Sequence, residues 1–214
     1  VDSGKTEFKA NLADTLGSEG LTLINLGEAE KALEKLSEAE ELFRELVDSG
    51  KTEYKVGLAV TLESEGLTLR SIGEAEKALV KLSEAEELFR ELVEKGKTEL
   101  KPNLAKTLMD EGVILRSIGE PRDALRKFFE AEKVYRELVR EEKTGYKSNL
   151  ADTLVSEGVT LDSIGNHREA LNKYFEAEKI FRELVDSGKT EYKVGLAVTL
   201  GGEGAALRSL DKFR

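Results

Sequence analysis

Gly-Lys-Thr occurs four times, beginning at Gly4, Gly50, Gly96 and Gly188, and it resembles the end of a loop that cradles phosphate groups. That loop needs a glycine five residues earlier and a strand before it, whereas Glu45 stands in that place ahead of Gly50, after a helical pattern. The triplet therefore reads as a turn, with Thr52 capping the helix that follows. His167, the only histidine, falls at the start of a helix with no serine, cysteine or carboxylate cluster placed to converge on it, so it reads as a solvated residue and not a catalytic base. A third chemistry lies in the carboxylates Glu19, Glu65, Glu111, Glu157 and Glu203, which recur with threonines on the same helical face, as Thr61 and Thr68 flank Glu65. Such a row could bind cations or basic ligand groups, but it has no metal-ligand spacing on one loop, and a polar seam that fixes helix register is the simpler reading. A buried carboxylate without a partner costs several kcal/mol or takes up a proton, so a donor is required. Lys35, Lys81, Lys127 and Lys173 are the expected donors, with Arg44, Arg90, Arg136 and Arg182 as the alternative. No catalytic residue, metal or cofactor is expected.

The row exists because the chain repeats itself every 46 residues: residues 47–62 recur unchanged as 185–200. Four units, 1–46, 47–92, 93–138 and 139–184, precede a partial fifth, 185–214, and all are expected to form one repeat domain spanning 1–214. Repeats of this size stack, because no unit can bury its apolar face alone. The identity of distant segments fits recent duplication or deliberate design, and a first valine inside the repeat register is expected of a fragment of a longer protein.

Within the second unit, Leu58, Ala59, Leu62, Gly66, Leu69 and Ile72 share one face of a helix over about residues 55–71. Ala78, Leu82, Ala85, Phe89 and Leu92 do the same over about residues 75–92. Gly73 separates the two as a helix C-cap, Pro121 reads as a first helical residue, Asn166 as an N-cap, and Pro102 belongs in a first turn. Gly20, Gly66, Gly112, Gly158 and Gly204 sit inside helices, where each costs roughly 1 kcal/mol relative to alanine. A close helix crossing is expected there, against Ala32, Ala78, Ala124 or Ala170, twelve positions later.

The spacing Leu62, Gly66, Leu69, then Ala78, Leu82, Ala85, and in the fourth unit Leu154, Gly158, Leu161, Ala170, Tyr174, Ala177, resembles the tetratricopeptide repeat family over nearly the whole chain. The long unit looks like the arrays of kinesin light chains and, more closely, those fused to signal-transducing nucleotide-binding ATPases of bacteria. The resemblance implies an all-α, right-handed superhelical solenoid of helix-turn-helix repeats with about nine helices. Its implied role is a protein-protein interaction scaffold that takes a peptide or protein in its concave groove, the alternative being a self-stacking structural array or a regulatory sensor array of a larger signalling protein. The family's proline after the second helix is replaced by Arg44, Arg90, Arg136 and Arg182, so that helix is free to run on.

Groove positions implied by the resemblance form columns on the first helices. One reads Leu21, Leu67, Val113, Val159 and Ala205, and its neighbours include Arg70, Arg116, Asp162 and Arg208, then Ser71 and Ser117. Apolar residues bordered by hydroxyls and arginines suit a peptide with apolar anchors and some acidic groups. The Lys and Asn pattern of carboxylate-clamping relatives is missing, since the preceding columns hold Asp14, Val60, Lys106 and Gly17, Glu63, Met109. With 33 basic against 43 acidic residues and a net charge of −10, neither nucleic acid nor an anionic membrane is an expected partner. The absence of cysteine and of a long apolar run or signal-like start fits a cytoplasmic protein. The fifth unit's outer face, including Leu207 and Phe213, is expected to pair head to tail with the first unit of another copy at high concentration.

Overall fold

The computed structural model describes residues 2–141 and 144–211. Val1, the expected start of the first unit, and Phe213, read as part of the exposed end, lie outside the described residues. Nine α-helices and no strand occur among the described residues: α1 Asp2–Asn25, α2 Ala29–Asp48, α3 Lys55–Ser71, α4 Ala75–Glu94, α5 Lys101–Ser117, α6 Pro121–Arg140, α7 Lys147–Ser163, α8 His167–Asp186 and α9 Lys193–Asp211. They fall into two compact units, Val1–Asp110 and Glu111–Arg214, with the division inside α5. In the first, α1 packs along α2, α3 along α4, and α2 against α3; in the second, α7 packs along α8, α8 along α9, and α6 against α7.

Helix ends follow local chemistry. Gly73 has a φ of 85°, its N–H donates to the Arg70 carbonyl, and the Glu74 N–H donates to that of Leu69, which satisfies two carbonyls at the end of α3. Pro121 opens α6, where its missing N–H costs nothing, and Pro102 is the second residue of α5. With arginine in place of proline, α2, α4, α6 and α8 each run for 20 residues. Three expectations are corrected. Thr52 does not cap α3: it begins a one-turn 3-10 helix, Thr52–Tyr54, and Tyr54 holds the N-cap position. Asn166 holds the N-cap position of α8 but makes no side-chain capping bond. Gly4-Lys5-Thr6 is not a turn but lies inside α1, whereas Gly50, with a φ of 88°, stands just after α2.

The even-numbered helices present one buried stripe each, such as Ala78, Leu82, Ala85, Phe89 and Leu92 on α4, and Ala124, Phe128, Ala131, Tyr135 and Leu138 on α6. Burying each large side chain contributes roughly 1.5–3 kcal/mol. In contrast, α3 contacts both α2 and α4, and it buries Thr61, Glu65 and Thr68 besides Leu58, Ala59 and Leu62. The mid-helix glycines mark the close crossing, but the expected alanine partner is corrected. A Cβ on Gly66 would lie 2.6 Å from Leu82 Cγ, and one on Gly158 would lie 2.7 Å from the Tyr174 ring, sixteen positions later in each case. Ala78 contributes only its backbone carbonyl, 3.2 Å from that Cβ position. Each glycine is thus a notch for a large side chain, as Gly20 is for Leu36 and Gly112 for Phe128.

Candidate functional site

The carboxylate row becomes a network once the helices pack. Glu65 is 2% exposed, and Lys81, reaching across from α4, places its Nζ 2.6 Å from it. The same ammonium also bonds to Glu40 of α2. The other oxygen of Glu40 accepts from Arg44 Nε at 2.7 Å, and the guanidinium forks onto both oxygens of Glu84 at 2.5 and 2.6 Å. The second compact unit repeats the arrangement in register: Lys173 Nζ lies 2.6 Å from Glu157 and 2.8 Å from Glu132, while Arg136 lies 2.6 Å from Glu132 and from Glu176. Lys127 pairs with Glu111 at 2.8 Å. The flanking threonines bond within their own helices. Thr61, Thr68, Thr153 and Thr160 donate to the carbonyls four residues back in their own helices, which satisfies their buried hydroxyls.

Burial pushes the Glu65 carboxyl up from 4.5 to about 7; Lys81 opposes this and Glu40 adds to it. The Glu157 carboxyl is pushed up to about 8, again by burial, with Lys173 opposing. Burial would raise Glu40 as well, but Lys81, the Glu65 carboxyl and Arg44 together hold it below its ordinary value, and Glu132 behaves alike. Burial thus favours the protonated form of Glu65, while its neighbours favour the ionised form of Glu40. Two cations, Arg44 and Lys81, thus serve the buried Glu40 and Glu65 and the part-exposed Glu84. Glu40 and Glu132 are absent from the sequence reading. The signal for them was a glutamate four residues before each of Arg44, Arg90, Arg136 and Arg182.

At the two ends the pattern is incomplete. Glu19 stays half-exposed, with Lys35 at 3.6 Å. Glu203 is 8% exposed and forms no ion pair among the described residues; burial and the neighbouring Glu178 raise its pKa.

The predicted groove residues divide by environment. Leu21 and Val159 are exposed, while Leu67 and Val113 are half-buried. Arg70 spans to α5, where it pairs with Asp110 at 2.5 Å, and Lys106 beside it pairs with the buried Glu63 at 2.7 Å. Asp162 binds His167 Nδ1 at 2.5 Å, so the histidine read as solvated is half-buried and tied to the end of α7. Arg116 is half-buried within electrostatic reach of Tyr174, and Arg208 is exposed on α9. Ser71 and Ser117 donate to carbonyls three residues back, at 2.7 Å each. In the first compact unit a cavity of about 220 Å³ opens between α1 and α3. Leu21, Gly17 and Asp14 line it from α1, Val60 and Ser64 from α3, and the buried Leu36 and Phe43 of α2 lie behind them. Gly17, Asp14 and Val60 stood in columns that lack the clamp pattern of lysine and asparagine, and the absence of a side chain at Gly17 leaves room there.

Among the described residues no group of three or more His, Cys, Asp or Glu side chains could hold a metal ion, and no helix is long and apolar enough to cross a membrane. No protein-family model matches the chain, and no curated protein matches it. Solved structures do. The apo form of RapI is 14% identical with a TM-score of 0.66, over 95% of this chain and 84% of that one. BtubC (BKLC) from P. vanneervenii is 15% identical with a TM-score of 0.55, over 97% and 89%. YrrB, described as a TPR protein with an unusual peptide-binding site, is 19% identical with a TM-score of 0.52, over 92% and 82%. With its paired helices, its glycine notches and these structural neighbours, the chain is an all-α repeat protein of the tetratricopeptide-repeat fold.

Proposed function

We propose that the chain is a non-enzymatic protein-interaction scaffold whose first-helix face takes an extended peptide or a protein segment. The observation that carries the reading is the cavity between α1 and α3, where Leu21, Val60 and the small Gly17 offer room for an apolar anchor beside the hydroxyls of Ser18 and Ser64. Buried apolar anchors supply most of the affinity at such sites, and polar neighbours orient the ligand. A structural neighbour described as peptide-binding adds support. Asp14 on the rim and Arg70 already committed to Asp110 favour a neutral or basic flank over the acidic ligand read from the arginine column.

Selection from a displayed random-peptide library, followed by binding to purified protein, tests this. Selected peptides should carry an apolar anchor and lose binding to Gly17→Leu. No atom lies within 4 Å of a Cβ at that position, so the leucine fills the cavity without disturbing the helix. Selected peptides that bind Gly17→Leu unchanged would refute the site.

A further inference from the structure

The second helices turn a face outward, opposite their buried stripe. On α2 it carries Glu30, Glu34, Ser37, Glu41 and Asp48, all exposed. Two units later α6 carries Arg122, Arg126, Phe129, Lys133 and Arg140 at the equivalent positions, also exposed, so each acid becomes a base and the serine an aromatic ring. From α4 to α8, Glu76 likewise gives way to Arg168, Ser83 to Phe175 and Glu87 to Lys179, while Asp186 keeps the sign of Glu94. The frame under both faces is alike, because equivalent ion pairs tie the helices together. Arg44 to Glu84 and Lys81 to Glu40 join α2 to α4, as Arg136 to Glu176 and Lys173 to Glu132 join α6 to α8. Lys31 and Lys77, bases on the flank of the acidic face, pair with Glu28 and Glu74. On the basic face Arg126 lies 3.1 Å from Asp123, an exposed contact that holds it weakly.

The two faces also differ in relief. Phe129 is 62% and Phe175 49% exposed on the basic one. On the acidic one the small Ser37 borders a cavity of about 350 Å³ between α2 and α4, walled by Leu33, Leu69 and Val80, with Glu65, Lys77 and Lys81 completing the lining. One compact unit thus offers an apolar hole rimmed by acids, and the other offers apolar knobs rimmed by bases.

We propose that the chain associates with a second copy of itself through these faces: α6 and α8 of one copy meet α2 and α4 of another, and a phenylalanine ring enters the cavity beside Ser37. Exposed ion pairs each add little, so the ring anchors the contact while the charges steer it and select the pairing. An acidic segment of some other protein would also be drawn to the basic face. The chain itself, however, carries acids at the spacing of those bases and a cavity for the ring in their midst. This contact uses second helices and does not depend on the Leu21 cavity between α1 and α3.

Size-exclusion chromatography with light scattering reads the mass of the full chain from about 10 μM to about 1 mM, in about 50 mM and about 500 mM salt. The mass should rise with concentration at the lower salt, and association should be at least about tenfold weaker at the higher. Phe129→Ser with Phe175→Ser, and separately Lys133→Glu with Lys179→Glu, install what the first two units hold at those positions in Ser37, Ser83, Glu41 and Glu87, so the helices are kept. Each pair should weaken self-association at least about tenfold. Glu41→Lys with Glu87→Lys should do the same from the other face. An equimolar mixture of that variant with the Lys133→Glu, Lys179→Glu protein should associate again, because opposite charges once more meet. A mass independent of concentration at the lower salt would overturn the proposal. So would association that the phenylalanine and lysine variants leave unchanged, or a mixture that stays monomeric.

Discussion

The glycine notches allow one substitution to be compared in two settings of the same register. Gly158→Ala and Gly204→Ala each remove a helix-interior glycine, which favours the folded state by roughly 1 kcal/mol. At Gly158 the new methyl would lie 2.7 Å from Tyr174 Cε1 and 2.9 Å from both Cδ1 and Cζ, whereas ordinary contact begins near 3.4 Å. A ring that is 2% exposed has no solvent side to retreat to, and overpacking of a tight core costs roughly 1–3 kcal/mol. The net effect at Gly158 is a loss of roughly 0–2 kcal/mol. At Gly204 the only neighbour among the described residues is Arg208 at 3.5 Å, so the full gain of about 1 kcal/mol remains. Stacked repeats open locally, so amide hydrogen exchange resolved by helix is the assay: protection should rise in α9 for Gly204→Ala and fall or stay level in α7 and α8 for Gly158→Ala. Equal stabilisation at both positions would refute the notch.

Protonation gives a second test. Glu65 and Glu157 hold their protons to about 7 and about 8 against an ordinary 4.5, so the stability they contribute is complete below about 4.5 and drains as pH rises through those folded values. Thermal stability should therefore fall between pH 5 and 9 by at most roughly 3 kcal/mol for Glu65 and roughly 4 kcal/mol for Glu157, and Glu65→Gln with Glu157→Gln should flatten that slope; an unchanged slope would count against the raised carboxyls. Removing the cation, Lys173→Met, should cost roughly 3–5 kcal/mol by stranding Glu132 and Glu157, while Lys35→Met should cost under about 1 kcal/mol because its pair with Glu19 is long and half-exposed; similar costs in urea titrations would contradict the network. Arg70→Glu sets a carboxylate against Asp110 and should weaken the α3 to α5 link by roughly 1 kcal/mol while leaving peptide binding at the Leu21 cavity unchanged; isothermal titration showing lost peptide binding would return Arg70 to the ligand site.

The sequence made the helices legible wherever one residue type forces one geometry. Gly73 ends α3 because a left-handed residue is needed there, Pro121 begins α6 because it donates no N–H, and the stripe from Ala78 to Leu92 follows the 3.6-residue period. What it hid depends on the neighbour. Gly66 and Ala78 are both small and were naturally paired, yet a notch accepts a knob, and only the packed helices show that Leu82 fills it. Arg70 reads as a groove cation until α5 brings Asp110 to 2.5 Å. Glu40 reads as a surface helix residue until Lys81, 41 positions later, draws it into the buried cluster. The cavity at Gly17 likewise appears only when α1 and α3 lie side by side over α2.

The polar seam also explains why nearly identical units are not equivalent. Glu157 on one first helix draws on Lys173 of the helix that follows and shares that lysine with Glu132 of the helix that precedes, so three consecutive helices must be present for the charges to balance. An apolar seam would tolerate a slip of one turn at the cost of some packing. Here a slip would leave a lysine or a carboxylate buried without its partner, a loss of several kcal/mol, which makes the seam a device for register as much as for stability. Glu19 has Lys35 after it but no helix before it among the described residues, and it remains in solvent. Glu203 has Glu178 before it and no lysine after it among the described residues, and it is buried all the same, because the face of α9 that carries Ala206 and Leu210 packs on Tyr174 of α8 and takes the carboxyl in with it. Burial at Glu203 is thus dictated by packing, while the only cation acting on it among the described residues is Arg182, which pairs with Glu178 at 2.6 Å.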